Sequence, residues 1–403
     1  MAVIHLIFVL LASVFLVSST GTAIAQDADL PVAFNAKIAG DDATTRFFLD
    51  FDKNLSIKTF YMDEPYRIII DLEEAVFNFA DDSKPEARGL IEAVQFGRIS
   101  KGRSRIVLTL SAPAEIIKSS MQKRLDEENF RFLMDLDSTD ESTFASLLDT
   151  QSKELGESGG IAIKGDRIKP VQKEPGRFTV VLDPGHGGID GGATGRNGLK
   201  EKDIVLQVAR KLAKAIEKAG PYDVLMTREE DTFVSLRHRL EFSRRSKADL
   251  FISVHADSLR QRYVRGATVY TLSKRASDRL SAELAASENS VDLLAGLPVD
   301  QDVEEVTDIL ADLTAQETKK FSRTFSNFLV TNLKDETFLN KNPQRSAAFA
   351  VLKAPDVPSV LLELGYLSNA QDENLMQQAE WQNDVTNAVS RAVDGFFSLR
   401  KNN

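Results

Sequence analysis

The first part of the chain alternates apolar and polar residues with a period of two. Between residues 30 and 138 this alternation runs through the segments TRFFLDFD, YRIIIDLE, IEAVQFGR, SRIVLTLS and NFRFLMDLD. Such alternation is typical of short strands with one face against a core, and no long amphipathic helix pattern lies between them. We therefore expect residues 30–138 to form a small all-β sandwich of two sheets. The region has no histidine, so we expect it to bind or target and not to catalyse.

Residues 139–176 differ from the preceding region in amino-acid composition. They are rich in serine, glycine, lysine and glutamate and show little apolar periodicity. That composition is typical of a linker between two domains.

Strands and helices alternate over residues 177–400. FTVVLDPG is a continuous apolar segment, as in strands that are buried on both faces of a parallel sheet. A helical segment follows it and stops at Gly220, and its apolar residues recur at a spacing of four: Ile204, Val208, Leu212 and Ile216. Later apolar segments are YDVLMTR, LFISVHAD, GATVYTL and SVLLELGY. We therefore expect an α/β domain with a mostly parallel sheet flanked by helices, whose reactive residues lie at the carboxyl ends of the strands.

The N-terminus has the features of a cleavable secretory signal. The apolar run IHLIFVLLASVFLV is followed by small residues at Ala23 and Ala25, which predicts a signal peptide at residues 1–25 that is cleaved after Ala25. A membrane anchor is the alternative, but the run is shorter than the roughly 20 residues that span a bilayer. The mature chain is expected to be exported, with no stable membrane insertion.

Charge and cysteine content narrow the possible partners. The formal net charge of -10 disfavours binding to nucleic acid or to anionic membranes. The chain has no cysteine, so a bound metal would have to be held by histidine, aspartate or glutamate. Beyond residue 25 the histidines are His186, His238 and His255. His238 lies in the charged segment LRHRLE, where we expect a surface position.

Four residues are expected to meet at one edge of the predicted sheet. His186 follows the first strand in VVLDPGHGGIDGG, His255 follows FISV, Glu201 starts the first helix, and Glu363 lies near the end of the last strand. Two histidines and one glutamate form a ligand set that is typical of catalytic zinc, with a fourth position open to water. A further carboxylate beside that water can act as a general acid and base.

Each of these residues also has a simpler interpretation. The glycines around His186 could cradle a phosphate, but the G-K-[ST] ending of a P-loop and the dinucleotide-binding spacing are both missing. Glu201 could be an acid favoured by the helix dipole. Glu363 is harder to explain in this way, because a carboxylate within a buried strand is costly without a partner or a function.

The residues in these segments carry a family resemblance. The segments VVLDPGHGGIDGGA, LKEKDIVLQVARKL, ADLFISVHAD and VPSVLLELGYLSN resemble the four signature blocks of the zinc-dependent N-acetylmuramoyl-L-alanine amidases, over residues 178–397. The resemblance is closest to the periplasmic cell-division amidases of the AmiB and AmiC type in Gram-negative bacteria. Residues 30–138 are similar to the AMIN domain that precedes the catalytic domain in those enzymes.

The resemblance implies a role for each of the four residues. His186, Glu201 and His255 would bind one zinc ion, and Glu363 would be the catalytic acid and base. The substrate would be peptidoglycan, cleaved at the amide bond between N-acetylmuramic acid and L-alanine during septal wall splitting. The chain would act as a monomer. A non-catalytic wall-binding scaffold and a zinc peptidase that cuts within the stem peptide remain alternatives.

A long segment separates GATVYTLS from RSAAFAVLKA. We take residues 274–344 as a helical insert, because a strand-to-strand crossover does not need that length. In the family that the chain resembles, a comparable insert plugs the zinc cleft until an activator displaces it. The resemblance implies a divisome-associated activator of the LytM or EnvC type, and it places an inhibitory glutamate at Glu288, in AASENSVDLL. The simpler interpretation of Glu288 is an exposed helical acid.

Overall fold

A computed structural model describes most of the chain beyond the N-terminus. The described residues are 30–63, 65–80, 83–100, 102–124, 128–158, 176–294 and 309–401. The predicted signal peptide lies outside them. No helix among these residues has the length and apolar content that crossing a membrane requires.

The N-terminal domain contains two stacked β-sheets, which confirms the predicted all-β fold. One sheet has the strand order β5-β1-β2-β9-β8 and the other has the order β3-β4-β7-β6. The strands are β1 Val32–Gly40, β2 Thr44–Phe51, β3 Ile57–Met62, β4 Arg67–Glu73, β5 Val76–Phe77, β6 Ile91–Ser100, β7 Arg103–Leu110, β8 Ala114–Lys123 and β9 Phe130–Ser138. Neighbouring strands are antiparallel except for the short β1–β5 pair.

Strand β4 is buried on both of its faces. Ile68 and Ile70 point into the core between the two sheets, together with Leu108 of β7. Ile69 points the other way and belongs to a separate apolar cluster on the outer face of its sheet, together with Val107. The outer face of the β3-β4-β7-β6 sheet is therefore covered by another part of the molecule.

The predicted linker begins with a helix, which corrects the expectation for its first half. Residues Glu141–Ser158 form helix α1. Phe144 is 1% exposed and packs edge-on against the rings of Tyr61 and Tyr66. Leu147 and Leu148 follow Phe144 at helical spacing and are half-buried, so the apolar pattern of α1 is limited to two turns. Residues 159–175 lie outside the described part of the chain.

The C-terminal domain is built on a mixed, mostly parallel sheet with the order β11-β10-β12-β15-β13-β14. Strands β11, β10, β12 and β15 are parallel, whereas β13 pairs antiparallel with β15. This confirms the predicted α/β class. The strands are β10 Phe178–Pro184, β11 Tyr222–Met226, β12 Leu250–His255, β13 Ala267–Leu272, β14 Leu339–Ala347 and β15 Ser359–Glu363.

Helices cover both faces of this sheet. One face packs against α2, α6 and α8 through a core that includes Val208, Phe325 and Val389. The other face packs against α3, α4 and a short 3-10 helix, Ala350–Leu352, through a second core that includes Leu284. The helices are α2 Glu201–Ala219, α3 Leu236–Arg245, α4 Arg279–Asn289, α5 Val291–Leu294, α6 Ile309–Leu333, α7 Ala370–Met376 and α8 Ala379–Lys401. The helix predicted from its spacing of four ends, as expected, before Gly220.

The structure divides the predicted insert into two parts. Helix α6 is a core crossover helix, because Phe325, Leu329 and Leu333 are fully buried, and β14 belongs to the sheet. Among the described residues, this leaves α4 and α5 as the part of the insert that is neither a strand of the sheet nor the crossover helix, and residues 295–308 are not among those described. The insert is thus shorter than the predicted range of residues 274–344.

Candidate metal centre and active site

His186 lies just beyond the end of β10, on a turn with unusual backbone geometry. Its φ angle is +59°, a left-handed conformation that residues other than glycine rarely adopt. Two buried arginines hold the carbonyl groups of this turn. The Arg239 guanidinium donates to His186 O at 2.8 Å and to Pro184 O at 2.8 Å, and the Arg228 guanidinium donates to Gly185 O at 2.8 Å.

The His186 ring is oriented by a carboxylate. Its Nδ1 lies 2.7 Å from Asp190 Oδ2, so Nε2 points into the site. There Nε2 is buried without a hydrogen-bond partner of good geometry, although Glu201 Oε2 is 3.2 Å away. A carboxylate on the far nitrogen of an imidazole is a common arrangement behind metal-binding histidines.

Glu201 is the first residue of α2 and is fully buried. Its carboxylate accepts hydrogen bonds from Ala193 N and Ala256 N, each at 2.8 Å. Its Oε1 lies 3.2 Å from His255 Nδ1. Glu201 therefore faces both histidines from one position.

His255 and Glu363 are the last residues of two paired strands. They are direct partners in the register of β12 and β15, and both are buried. The ring centroids of His255 and His186 are 5.0 Å apart. Glu363 Oε2 accepts a hydrogen bond from Asp257 N at 3.1 Å, whereas Oε1 is buried without a partner among the described groups.

Glu288 enters the same site from α4. It is 6% exposed, so its interpretation as an exposed helical acid is wrong. Its carboxylate lies 3.3 Å from His255 Nδ1 and 3.7 Å from His186 Nε2. The ligand atoms of these three residues lie within 4.8 Å of one another. His238 is far less buried than this group, with a half-exposed side chain on α3.

The site holds more carboxyl groups than imidazoles. Burial, and then the nearby Asp257 and Glu201, raise the pKa of the Glu363 carboxyl well above its usual range. Burial, and then Glu201 and Glu288, raise the pKa of Asp257 in the same way. Burial opposes ionisation of Glu201 too, but the neighbouring histidines outweigh it and its pKa lies well below the usual value. An excess of buried carboxyl groups of this kind favours a bound cation.

The donor set fits zinc. Imidazole nitrogen and carboxylate oxygen are zinc ligands, and the unpartnered His186 Nε2 supplies a donor atom that nothing else uses. The ligand atoms of His186, His255 and Glu288 lie within 4.8 Å of one another, and the Glu201 carboxylate lies 3.2 Å from each imidazole.

The glycines beside His186 make room for the two imidazoles. A Cβ at Gly185 would overlap the His255 ring, and one at Gly192 would lie 2.6 Å from His186 Cδ2. Gly192 also has a φ of +62°. The glycines of this turn thus leave space for the two histidine rings, and nothing in this geometry indicates a phosphate site.

Several supporting residues were not found from the sequence. They are Asp183, Asp190, Arg228, Arg239 and Asp257. The carboxylate of Asp183 accepts from Arg239 at 2.6 Å, Thr227 at 2.6 Å and Ser253 at 2.7 Å. Asp190 and Asp257 could have been noticed from their positions four and two residues after a histidine. The arginines had no such signal, because their contacts connect distant segments.

Comparison with known proteins identifies the two domains. Residues 180–395 match the family described as N-acetylmuramoyl-L-alanine amidase, and residues 35–138 match the AMIN domain. The chain is 31% identical to the N-acetylmuramoyl-L-alanine amidase AmiC of Escherichia coli O6:H1, over 88% of this chain and 87% of that protein. This chain belongs to the N-acetylmuramoyl-L-alanine amidase family.

Other relatives match most or part of the chain. The AmiC of Neisseria meningitidis is 29% identical over 96% of this chain and 95% of that protein. AmiA of Escherichia coli K12 is 38% identical over 56% of this chain and 78% of that protein. The chain is thus an amidase of the AmiB and AmiC type with an N-terminal AMIN domain, as its sequence motifs indicated.

Proposed function

We propose that this chain is a zinc-dependent hydrolase that cleaves the amide bond between N-acetylmuramic acid and the L-alanine of the peptidoglycan stem peptide. The observation that carries the proposal is the convergence of His186, Glu201, His255 and Glu363 at one end of the sheet. Family membership supports the bond that is cleaved.

His186, Glu201 and His255 would hold the metal. Zinc bound there would polarise the substrate carbonyl and lower the pKa of a water molecule. The protein keeps these ligands in place through Asp190, which orients His186, and through the backbone N–H groups that bind Glu201.

Glu363 would transfer the proton. A water molecule adds to the carbonyl carbon while Glu363 takes its proton, and the carbon–nitrogen bond then breaks as Glu363 gives that proton to the L-alanine nitrogen. Burial raises the pKa of Glu363, so its carboxylate is a better acceptor for the proton of water than an exposed carboxylate would be.

Helix α4 would inhibit the resting enzyme. Its Glu288 occupies space beside both histidines, where it competes with water and substrate for the metal. Removal of α4 by a partner would then open the site. A divisome-associated activator of the LytM or EnvC type is the partner that we propose.

We further propose that the chain works in the periplasm of a Gram-negative cell, as a monomer, in septal wall splitting. Cleavage of a signal peptide after Ala25 would release it there. The AMIN domain would target the enzyme to the wall.

The test is mass spectrometry of the material released from purified peptidoglycan. The chain should be assayed with Glu288→Ala, because α6 and β14 make deletion of the whole predicted insert unsuitable. We expect intact stem peptides with a free L-alanine amino group. Peptides cut internally would instead identify a peptidase.

Glu363→Gln is the matched control. It should lower turnover by about 10²- to 10⁴-fold, the usual contribution of a general acid and base, while bound zinc stays stoichiometric. Full turnover in this variant would exclude Glu363 from the reaction. No release by a folded, zinc-loaded Glu288→Ala variant would favour a wall-binding scaffold.

A further inference from the structure

We propose that the outer face of the β3-β4-β7-β6 sheet is a docking surface for the regulatory segment of the amidase domain, so that the AMIN domain helps to keep the active site closed. The regulatory segment is defined here as residues 279–294, which form α4 and α5. This inference rests on the inhibitory role that we propose for Glu288, and it assigns part of that inhibition to the AMIN domain.

An apolar cluster joins three parts of the chain. We call it the interdomain cluster, and its buried members come from the AMIN domain, from two loops near the metal centre and from α5. They are Ile69, Ile99, Val107, Ile189, Phe233 and Val291. Each is at most 5% exposed, so these side chains are almost fully shielded from solvent.

The members from the amidase domain lie next to functional residues. Ile189 is three residues after His186, on the same turn. Val291 is three residues after Glu288 and lines the cavity that His186, His255 and Glu288 also line. The AMIN domain thus contacts the cluster that contains both a metal-ligand turn and the end of the inhibitory helix.

Close backbone packing fixes the AMIN domain against the turn. A Cβ at Gly97 of β6 would lie 2.6 Å from Ile189 Cα, and one at Gly188 would overlap Arg98 O. Phe233 N donates to Arg98 O at 3.3 Å. Two glycines therefore permit the approach of the two domains.

Arg98 adds polar contacts across the same boundary. Its guanidinium binds Glu74 within the AMIN domain at 3.0 Å, and Glu230 and Thr232 of the amidase domain at 2.6 Å each. These contacts do not involve α4 or α5, so they can hold the domains together whether the regulatory segment is in place or displaced.

The end of the regulatory segment is tied to the amidase domain as well. The Asn289 side chain donates to Ala348 O at 2.9 Å and accepts from Ala350 N at 2.7 Å. The Asp292 carboxylate accepts from Leu236 N at 3.0 Å. Glu288 is therefore followed at once by polar anchors and by the apolar contact of Val291.

The contact with Val291 exists only while the segment is in place. When Glu288 leaves the site, Val291 must leave the interdomain cluster, which exposes apolar surface on both sides. A contact that is present in one state and absent in the other shifts the equilibrium toward the first. The AMIN domain therefore favours the closed state, and an activator must break this contact too.

The experiment measures two properties of the full chain: basal hydrolysis of peptidoglycan and hydrogen exchange of the backbone amides in residues 279–294. The variants are Ile69→Ala, Val291→Ala and the double variant. Ile69 points away from the sandwich core, so its truncation leaves that core intact.

We expect both single variants to raise basal hydrolysis and exchange by roughly three- to tenfold, as loss of burial of part of one aliphatic side chain would do. The combined rise in the double variant should be smaller than the product of the two single effects, because both substitutions truncate members of one packed cluster. Ile117→Ala on β8, where the side chain is 56% exposed, is the matched control and should change neither property.

Two results would overturn the proposal. The first is unchanged exchange of residues 279–294 in Ile69→Ala. The second is lower hydrolysis together with lower zinc content, since the AMIN domain would then support the His186 turn and not the closed state. If Ile69→Ala fails to fold, Ile69→Val replaces it. We then expect a smaller rise in both hydrolysis and exchange. Increased exchange without any hydrolysis in any variant would support the docking surface and reject the proposed activity.

Discussion

His186 depends on its neighbours for both its backbone and its ring. The left-handed conformation costs free energy in a residue with a side chain, and Arg228 and Arg239 stabilise it by binding successive carbonyl groups. Asp190 then fixes the ring. The residue that we propose as a zinc ligand is therefore held in place by contacts within its own domain.

Asp190→Asn should weaken zinc binding by about 10- to 100-fold, the usual effect of losing a carboxylate partner of a metal-bound histidine. The neutral amide can still reach Nδ1, but it stabilises the bound imidazole less. Competition with a chromophoric chelator measures the dissociation constant. Asp203→Asn, an exposed acid on α2, is the control, and equal affinities in the two variants would contradict a role for Asp190.

At the scale of elements, α4 has two functions in one helix. Leu284 and Ala285 pack into the core on one face of the sheet, whereas Glu288 reaches the histidines. Burial raises the pKa of Glu288, and the nearby Glu201 and Asp190 add to this, although both histidines oppose it. The packing of α4 therefore holds Glu288 in the site, although burial opposes the ionised form of its carboxyl group.

Glu288→Ala should raise basal activity at least several-fold, because the truncated side chain no longer occupies the position of water beside the histidines. Release of stem peptide from peptidoglycan without any activator measures this. Glu283→Ala on the same helix, with a side chain that is 50% exposed, should leave the rate unchanged. An unaltered rate in Glu288→Ala would count against inhibition through this residue.

Helix α1 is attached to the AMIN domain by a small number of contacts. Phe144 packs against two tyrosine rings, and Gln151 exchanges hydrogen bonds with the backbone of Tyr61 at 2.6 and 3.0 Å. The helix therefore extends the AMIN domain before the chain continues to the amidase domain.

Phe144→Ala should lower the free energy of unfolding of the AMIN domain by about 3–5 kcal/mol, the range for truncating a buried phenylalanine. Denaturant unfolding followed by circular dichroism measures it. Ile117→Ala on β8 of the same domain, at a position that is 56% exposed, should cost much less. A loss of similar size in both variants would show that α1 is not anchored through Phe144.

At the scale of the whole molecule, the two domains form one compact unit from Pro31 onward. The interdomain cluster and the Arg98 contacts join them directly. The structure therefore couples a domain without catalytic residues to the turn that carries His186.

Gly97→Val should separate the two domains, because its side chain would meet the backbone of Ile189. Small-angle X-ray scattering should then show a radius of gyration above the roughly 21 Å expected for a compact chain of this size. At Gly191 a Cβ would meet nothing within 4 Å, so Gly191→Val is the control. An unchanged radius in Gly97→Val would mean that the interface adapts to the added side chain.

Local sequence patterns predicted the class of each domain and the edge at which the candidate residues meet. Period-two alternation predicted the sandwich, and the spacing of Ile204, Val208 and Leu212 predicted a helix that the structure contains. His186, His255 and Glu363 could be placed together because parallel strands end on the same side of a sheet. These features depend on local periodicity and on the direction of strands.

Which segment covers each surface depends instead on contacts between distant parts of the chain. The helix at residues 141–158 has only a short periodic signal, at Phe144, Leu147 and Leu148, and it is held by the contact of Phe144 with rings about eighty residues earlier in the chain. The burial of Glu288 and the clamping of the His186 turn by Arg228 and Arg239 likewise join distant segments. The segment RIIIDLE predicts a strand, but not that Ile69 and Val291 belong to the same cluster. Such contacts depend on how whole elements pack, which no local pattern contains.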